Sequence, residues 1–86
     1  MKQIVKFYAD WCGPCRTYGP TFDKLAEKYK DQVKFININV DKDTDGQAAK
    51  FKVRSIPHTV LVKEDGTIIS KTGMLPENEL EELILS

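Results

Sequence analysis

Two cysteines separated by two residues, Cys12 and Cys15, stand where an apolar run ends and a helical pattern begins. That junction limits what the chain can fold into more than any other feature. Upstream, Gln3 to Ala9 is mostly apolar with aromatic content and reads as a strand. Asp10-Trp11-Cys12-Gly13-Pro14-Cys15 follows as a loop that turns into a helix. From there Cys15, Tyr18, Phe22, Leu25, Ala26 and Tyr29 recur at steps of three and four, which puts them on one helical face. Pro14 suits a first helical turn, where its missing N–H has no partner to lose. Pro20 falls mid-helix and predicts a kink there.

The rest of the chain completes an alternating pattern. Val33 to Val40 is a second strand, with Ile36, Ile38 and Val40 on one face and Asn37 and Asn39 on the other. Asp41 to Gly46 is a turn region, and a short helix is expected from about Asp45 to Lys52. Pro57 closes the next loop. Thr59 to Lys63 and Thr67 to Thr72 are two further strands, joined by a hairpin turn at Glu64-Asp65-Gly66. Pro76 starts a last helix with Leu80, Leu83 and Ile84 inward, and with Glu77 and Glu79 in the first turn, where the helix dipole favours anions. The order β-α-β-α-β-β-α describes an α/β domain. A parallel βαβ unit followed by an antiparallel hairpin gives a four-stranded mixed sheet flanked by helices. With no linker in view, residues 1–86 are expected to be a single domain.

Composition narrows the function. Thirteen basic residues balance thirteen acidic ones, so the net charge of zero supplies no pull toward nucleic acid or an anionic membrane. No apolar run approaches the roughly 18 residues of a membrane span, and Lys6 interrupts the N-terminal apolar run, unlike a signal peptide. Two cysteines are too few for the disulfide frameworks that staple small secreted domains. The expected setting is therefore a reducing compartment, the cytoplasm. Structural zinc wants four ligands, and the chain offers two Cys and one His, so no metal site is expected.

Against two buried structural thiols or a metal site shared between molecules, the strand–turn–helix setting of the pair favours redox chemistry. Only a thiolate attacks a disulfide, and a thiol at a helix N-terminus sees unpaired N–H groups and the positive end of the dipole, which lowers its pKa. Cys12, at the mouth of the turn, is expected to be exposed and to attack. Cys15, one turn in on the apolar face, is expected to be shielded and to resolve the mixed disulfide. Gly13 and Pro14 combine turn freedom at one position with rigidity at the next.

Trp11-Cys12-Gly13-Pro14-Cys15 reads W-C-G-P-C, and the sequence here resembles the active-site motif of thioredoxins. Pro20, Val40-Asp41, Arg54-Ser55-Ile56-Pro57, Asp65-Gly66 and Thr72-Gly73 match further family features in the same order, and the resemblance covers nearly the whole chain. It implies a minimal thioredoxin fold and reduction of protein disulfides without a bound cofactor. It also implies a cis peptide at Pro57 and a peptide-binding groove formed by Trp11, Val40, Ser55, Ile56, Pro57, Thr72 and Gly73. The partners implied are disulfide-containing proteins and a separate reductase of the thioredoxin-reductase type, with the chain itself a monomer. Trp11 is read as a docking surface beside the thiol.

Three departures accompany the match. The chain starts at what would be the family's second strand, so Val33–Val40 is expected to form a sheet edge, blunted by Lys34, Asn37 and Asn39. Lys6 stands where the family has a buried aspartate beneath the cysteines, and Asn37 where it has the partner lysine. His58 follows Pro57, where threonine is common. Lys6 has two readings: its amine in water with its stem on the core, or a charge near Cys15 that favours the thiolate. His58 also has two: a strand-initial ring in solvent, or a titratable group beside the cysteines. Asp41, Asp43 and Asp45 imitate the start of a calcium loop, but Lys52 occupies the position that needs a glutamate, so they read as turn and capping residues. Two rival functions share the sequence: a glutaredoxin-like, glutathione-dependent reductase, and a non-catalytic thioredoxin-type binding subunit.

Overall fold

The computed structural model describes residues 1–86. In chain order it comprises β1 (Lys2–Tyr8), α1 (Gly13–Lys28), β2 (Val33–Asn39), a 3-10 turn (Val40–Lys42), α2 (Gln47–Lys50), β3 (His58–Val62), β4 (Ile68–Thr72) and α3 (Glu77–Leu85). The four strands form one sheet in the order β2-β1-β3-β4. β1 and β2 run parallel, with Ile4 opposite Phe35 and Lys6 opposite Asn37. β1 and β3 are antiparallel, with Lys6 opposite Thr59 and Phe7 opposite His58. This is the expected fold, with β2 at one edge.

The pleat of β1 sorts its side chains into two layers. Ile4 packs under α1 and α3 with Tyr18, Phe22, Leu25, Leu61, Leu80 and Ile84. Val5 and Phe7 point to the other face and pack with Val60, Ile36, Ile38, the α2 residue Ala48 and Phe51, which follows α2. In the first layer the Tyr18 hydroxyl and the Thr59 hydroxyl, both buried, bond at 2.8 Å, so neither is left unpaired in the core. α3 is held to α1 by two exposed ion pairs, Lys24–Glu77 and Lys28–Glu81, and Tyr29 donates its hydroxyl to Glu81.

Local chemistry sets the ends of the elements. The Asp43 carboxylate accepts from the N–H groups of Gln47 at 2.9 Å and Ala48 at 2.8 Å, which caps α2. α2 ends in a two-bond closure: Val53 N–H reaches the Ala48 carbonyl at 2.8 Å and Lys52 N–H the Ala49 carbonyl at 3.1 Å. Lys52 takes the left-handed position of that motif with φ 59°. The closure explains why the helix is shorter than the expected Asp45–Lys52. The β3–β4 hairpin turns through Glu64, Asp65 and Gly66, the last at φ 91°, with Lys63 N–H donating to the Thr67 carbonyl at 2.8 Å. α1 continues through Pro20 as one helix.

Candidate active site

α1 begins immediately after Cys12, which is its N-cap residue. Cys12 has extended backbone angles, φ −87° and ψ 111°, and Pro14 lies in the first turn. The N-cap is where an oxygen-bearing side chain normally accepts from an unpaired N–H; here a sulfur does so. Cys15 N–H points at Cys12 Sγ at 3.3 Å. Cys12 and Cys15 are joined as a disulfide, with their Cα atoms 5.2 Å apart. Gly13 and Pro14 are exposed on the outer side of the turn.

The loop before β3 faces this turn. The Ile56–Pro57 peptide is cis, as the resemblance implies. Cys12 Sγ lies 3.8 Å from the Ile56 carbonyl oxygen. Gly73, at φ 91°, donates its N–H to the Pro57 carbonyl at 2.8 Å and so braces the loop from behind. Trp11 is 67% exposed, and its Nε1 donates to Asp41 Oδ2 at 2.8 Å, which fixes the indole over the end of β2. Trp11, Val40, Ser55 and Ile56 come together as walls of an open groove of about 430 Å³, completed by Ala48, Val53 and Arg54. These last three were not singled out from the sequence. Ala48 falls within the short helix expected from about Asp45 to Lys52 and Arg54 within a motif, and nothing in their spacing marks a wall. Pro57 is buried, and Pro57, Thr72 and Gly73 are not among the residues that line this groove.

The structure corrects two expectations about exposure. Cys12 is not the open member of the pair: it is 5% exposed and Cys15 4%. Tyr8, Val40 and Ile56 pack against the cluster that the two cysteines form with Ala9, and the sulfur turned in to cap the helix has little surface left. The distinction between the cysteines lies in what each sulfur faces. Cys12 faces the helix N-terminus and the Ile56 carbonyl; Cys15 lines a separate cleft on the other side.

His58 is the second correction. Its ring is not in solvent but 5% exposed, because the first residue of β3 falls on the α2 layer opposite Phe7. The ring meets Phe7 edge-on at 6.3 Å between centroids. Its Nδ1 is 3.1 Å from the Thr72 hydroxyl, while Nε2 is buried with no partner. Burial pulls its pKa below the ordinary histidine value. Its hydrogen bond goes to Thr72, not to a cysteine.

Lys6 is buried beneath the pair, 6% exposed. Its Nζ sits 4.7 Å from the centre of the Phe22 ring and 5.3 Å from that of Tyr8. Burial lowers its pKa, and the Asp23 charge partly opposes that shift. Lys6 and Cys15 line the same cleft.

Comparisons with known proteins agree with this geometry. The family model described as Thioredoxin matches residues 1–86. A thioredoxin of Mycoplasmoides gallisepticum is 42% identical over 84 residues, which cover 96% of this chain and 81% of the relative. A thioredoxin of Haemophilus influenzae is 38% identical, covering 94% and 75%. Among solved structures, the germline-specific thioredoxin Deadhead of Drosophila melanogaster superposes with a TM-score of 0.86 at 32% identity, covering 98% of this chain and 78% of its own. Oxidised mitochondrial thioredoxin 3 of Saccharomyces cerevisiae gives 0.82 at 36%, covering 98% and 76%. A sulfur-capped helix facing a cis-proline loop, on this sheet and among these relatives, has one reading: the chain belongs to the thioredoxin family of thiol–disulfide oxidoreductases, which need no bound cofactor, and its redox centre is the Cys12–Cys15 pair.

Proposed function

We propose that this chain reduces disulfides in other proteins, with Cys12 as the nucleophile and Cys15 as the resolving thiol. The observation that carries the assignment is the Cys15 N–H aimed at Cys12 Sγ at the start of α1. In the reduced protein the same N–H and the helix dipole stabilise a Cys12 thiolate and not a Cys15 thiolate. Cys12 attacks one sulfur of the substrate disulfide, and the other substrate sulfur leaves as a thiolate that takes a proton from solvent. Cys15 then loses its proton and attacks Cys12 Sγ. The Cys12–Cys15 bond forms, the Cys12–substrate bond breaks, and the second substrate thiol departs. Two electrons have moved from the dithiol to the substrate. An extended substrate segment fits the groove between Trp11 and Ile56, with the Ser55-Ile56-Pro57 backbone as its edge.

Members of this family work on disulfide-containing substrates and draw electrons from reductase partners. For this chain the donor we propose is a thioredoxin-reductase-type enzyme rather than glutathione, since Trp11 and Gly13-Pro14 match thioredoxin motifs and not glutaredoxin ones. Residues 1–86 are proposed to act as one domain and as a monomer. A radius of gyration of 11.9 Å equals the about 12 Å of a compact single domain of this length. No helix is long and apolar enough to cross a membrane. Dithiol chemistry of this kind suits a reducing compartment, so the proposed location is the cytoplasm.

The test is insulin reduction with electrons supplied either by thioredoxin reductase or by glutathione. Turnover with the reductase, lost in both Cys12→Ser and Cys15→Ser, is the expected result. Turnover with glutathione alone would move the chain to the rival glutaredoxin-like reading. No turnover from any donor would leave the binding-subunit reading.

A further inference from the structure

Lys6 is the one buried titratable group next to the redox pair that the mechanism above does not use. β1 carries it to the α1 face of the sheet, directly across from Asn37 and Thr59, neither of which is charged. It makes no salt bridge; the four ion pairs of the chain involve other residues. Its amine rests over the Phe22 and Tyr8 rings, whose faces attract a cation but neutralise nothing. The cleft it lines, about 340 Å³, reaches Cys15 and is otherwise bounded by Tyr8, Ala9, Asp10, Arg16 and Gly19. A buried cation in no ion pair, with the Asp23 charge acting on it from α1, shares a cleft with a thiol, and the thiolate that forms there is a further anion for it to stabilise.

We propose that Lys6 is a positioning residue for the second half-reaction, its ammonium stabilising the Cys15 thiolate that resolves the mixed disulfide. The inference rests on the Cys12–Cys15 roles given above. The amine transfers no proton in this scheme. The Cys15 proton leaves to solvent through the cleft, and the charge of Lys6 lowers the cost of its leaving. The other charges facing the site are accounted for. Asp23 on α1 bears on Lys6 itself and tempers its effect. Arg16 is exposed, donates to the Asp10 carbonyl at 3.2 Å, and is screened by solvent. The Asp10 carboxylate, also exposed, opposes a thiolate weakly for the same reason. Tyr8 presents its ring to Lys6, burial raises the Tyr18 pKa and keeps that hydroxyl protonated, and Cys12 is spent as part of the mixed disulfide when Cys15 reacts.

The test isolates Cys15 in a Cys12→Ser background and follows its thiolate absorbance against pH. With Lys6→Met the titration midpoint is expected to rise so that the thiolate fraction at pH 7 falls roughly tenfold, and Lys6→Arg is expected to restore it. In the dithiol protein, stopped-flow resolution of a preformed mixed disulfide slows by the same factor in Lys6→Met, while the first attack by Cys12 changes less. Arg16→Gln leaves both readings within about twofold. An unchanged Cys15 titration in folded Lys6→Met would overturn the proposal, as would an equal shift from Arg16→Gln. Lys6→Gln gives the same comparison should the methionine variant not fold. Because the titration does not depend on turnover, failure of the wild type to reduce insulin would sink the enzymatic reading and leave the Lys6 result interpretable.

Discussion

His58 carries a nitrogen, Nε2, that is buried with no hydrogen-bond partner. A neutral ring tolerates that, because Nδ1 shares one hydrogen with the Thr72 hydroxyl. A protonated ring does not, since both nitrogens must then donate. Burial accordingly holds the folded-state pKa below the ordinary 6.5. Above pH 6.5 the ring is neutral folded or unfolded, and its contribution to stability is complete. As pH falls below 6.5 the unfolded chain takes up the proton first, and stability drains away down to the folded-state pKa. Urea midpoints measured from pH 8 to 5 are therefore expected to fall more steeply for the wild type than for His58→Thr. Equal slopes would contradict this account. Tyr18 makes the complementary case: Tyr18→Phe strands the Thr59 hydroxyl in the core and is expected to cost about 1–3 kcal/mol in denaturant unfolding. At this scale the sequence is legible where chemistry and spacing coincide, as in Cys12 and Cys15. It misleads at His58, because a residue opening a strand looks like a loop residue until the register puts it opposite Phe7. Ala48, Val53 and Arg54 escape notice because a groove wall is built from four separate stretches of chain, and only the fold brings them together.

Two elements end in ways that experiments can read. α1 is capped by a sulfur, so the cap and the proposed nucleophile are one atom. Under reducing conditions Cys12→Ser keeps a good capping group and Cys12→Ala does not. Both abolish disulfide reduction, yet the serine protein is expected to be the more stable by about 0.5–2 kcal/mol. Equal stability would mean that the cap contributes nothing. α2 ends with Lys52 at φ 59°, a conformation that suits glycine. Lys52→Gly is expected to raise the denaturation midpoint, by up to about 1 kcal/mol, as the left-handed strain exceeds the extra freedom glycine has when unfolded. The element pattern is readable because each strand and helix has its own period. Its ends move by a residue or two where a tertiary contact decides. Val40 leaves the β2 strand to begin the 3-10 turn under Trp11, and Phe51 and Lys52 leave α2 to close it.

For the whole molecule, a strand–helix–strand unit and a hairpin suffice to give the observed sheet order, and a sequence with those two motifs has few other ways to cover both faces. The arrangement places one helix N-terminus against one loop, and the proposed mechanism depends on that meeting. The exposed ion pairs between α1 and α3 are peripheral to it, and Lys24→Ala or Lys28→Ala is expected to leave the urea midpoint almost unchanged. The most direct test of the central claim is the pH dependence of alkylation by iodoacetamide in the reduced protein, with the modified cysteine identified by mass spectrometry. Cys12 is predicted to react first, with an apparent pKa clearly below the about 8.5 of a free thiol, and Cys15 much more slowly. Preferential labelling of Cys15, or two thiols that titrate together near the free value, would contradict it.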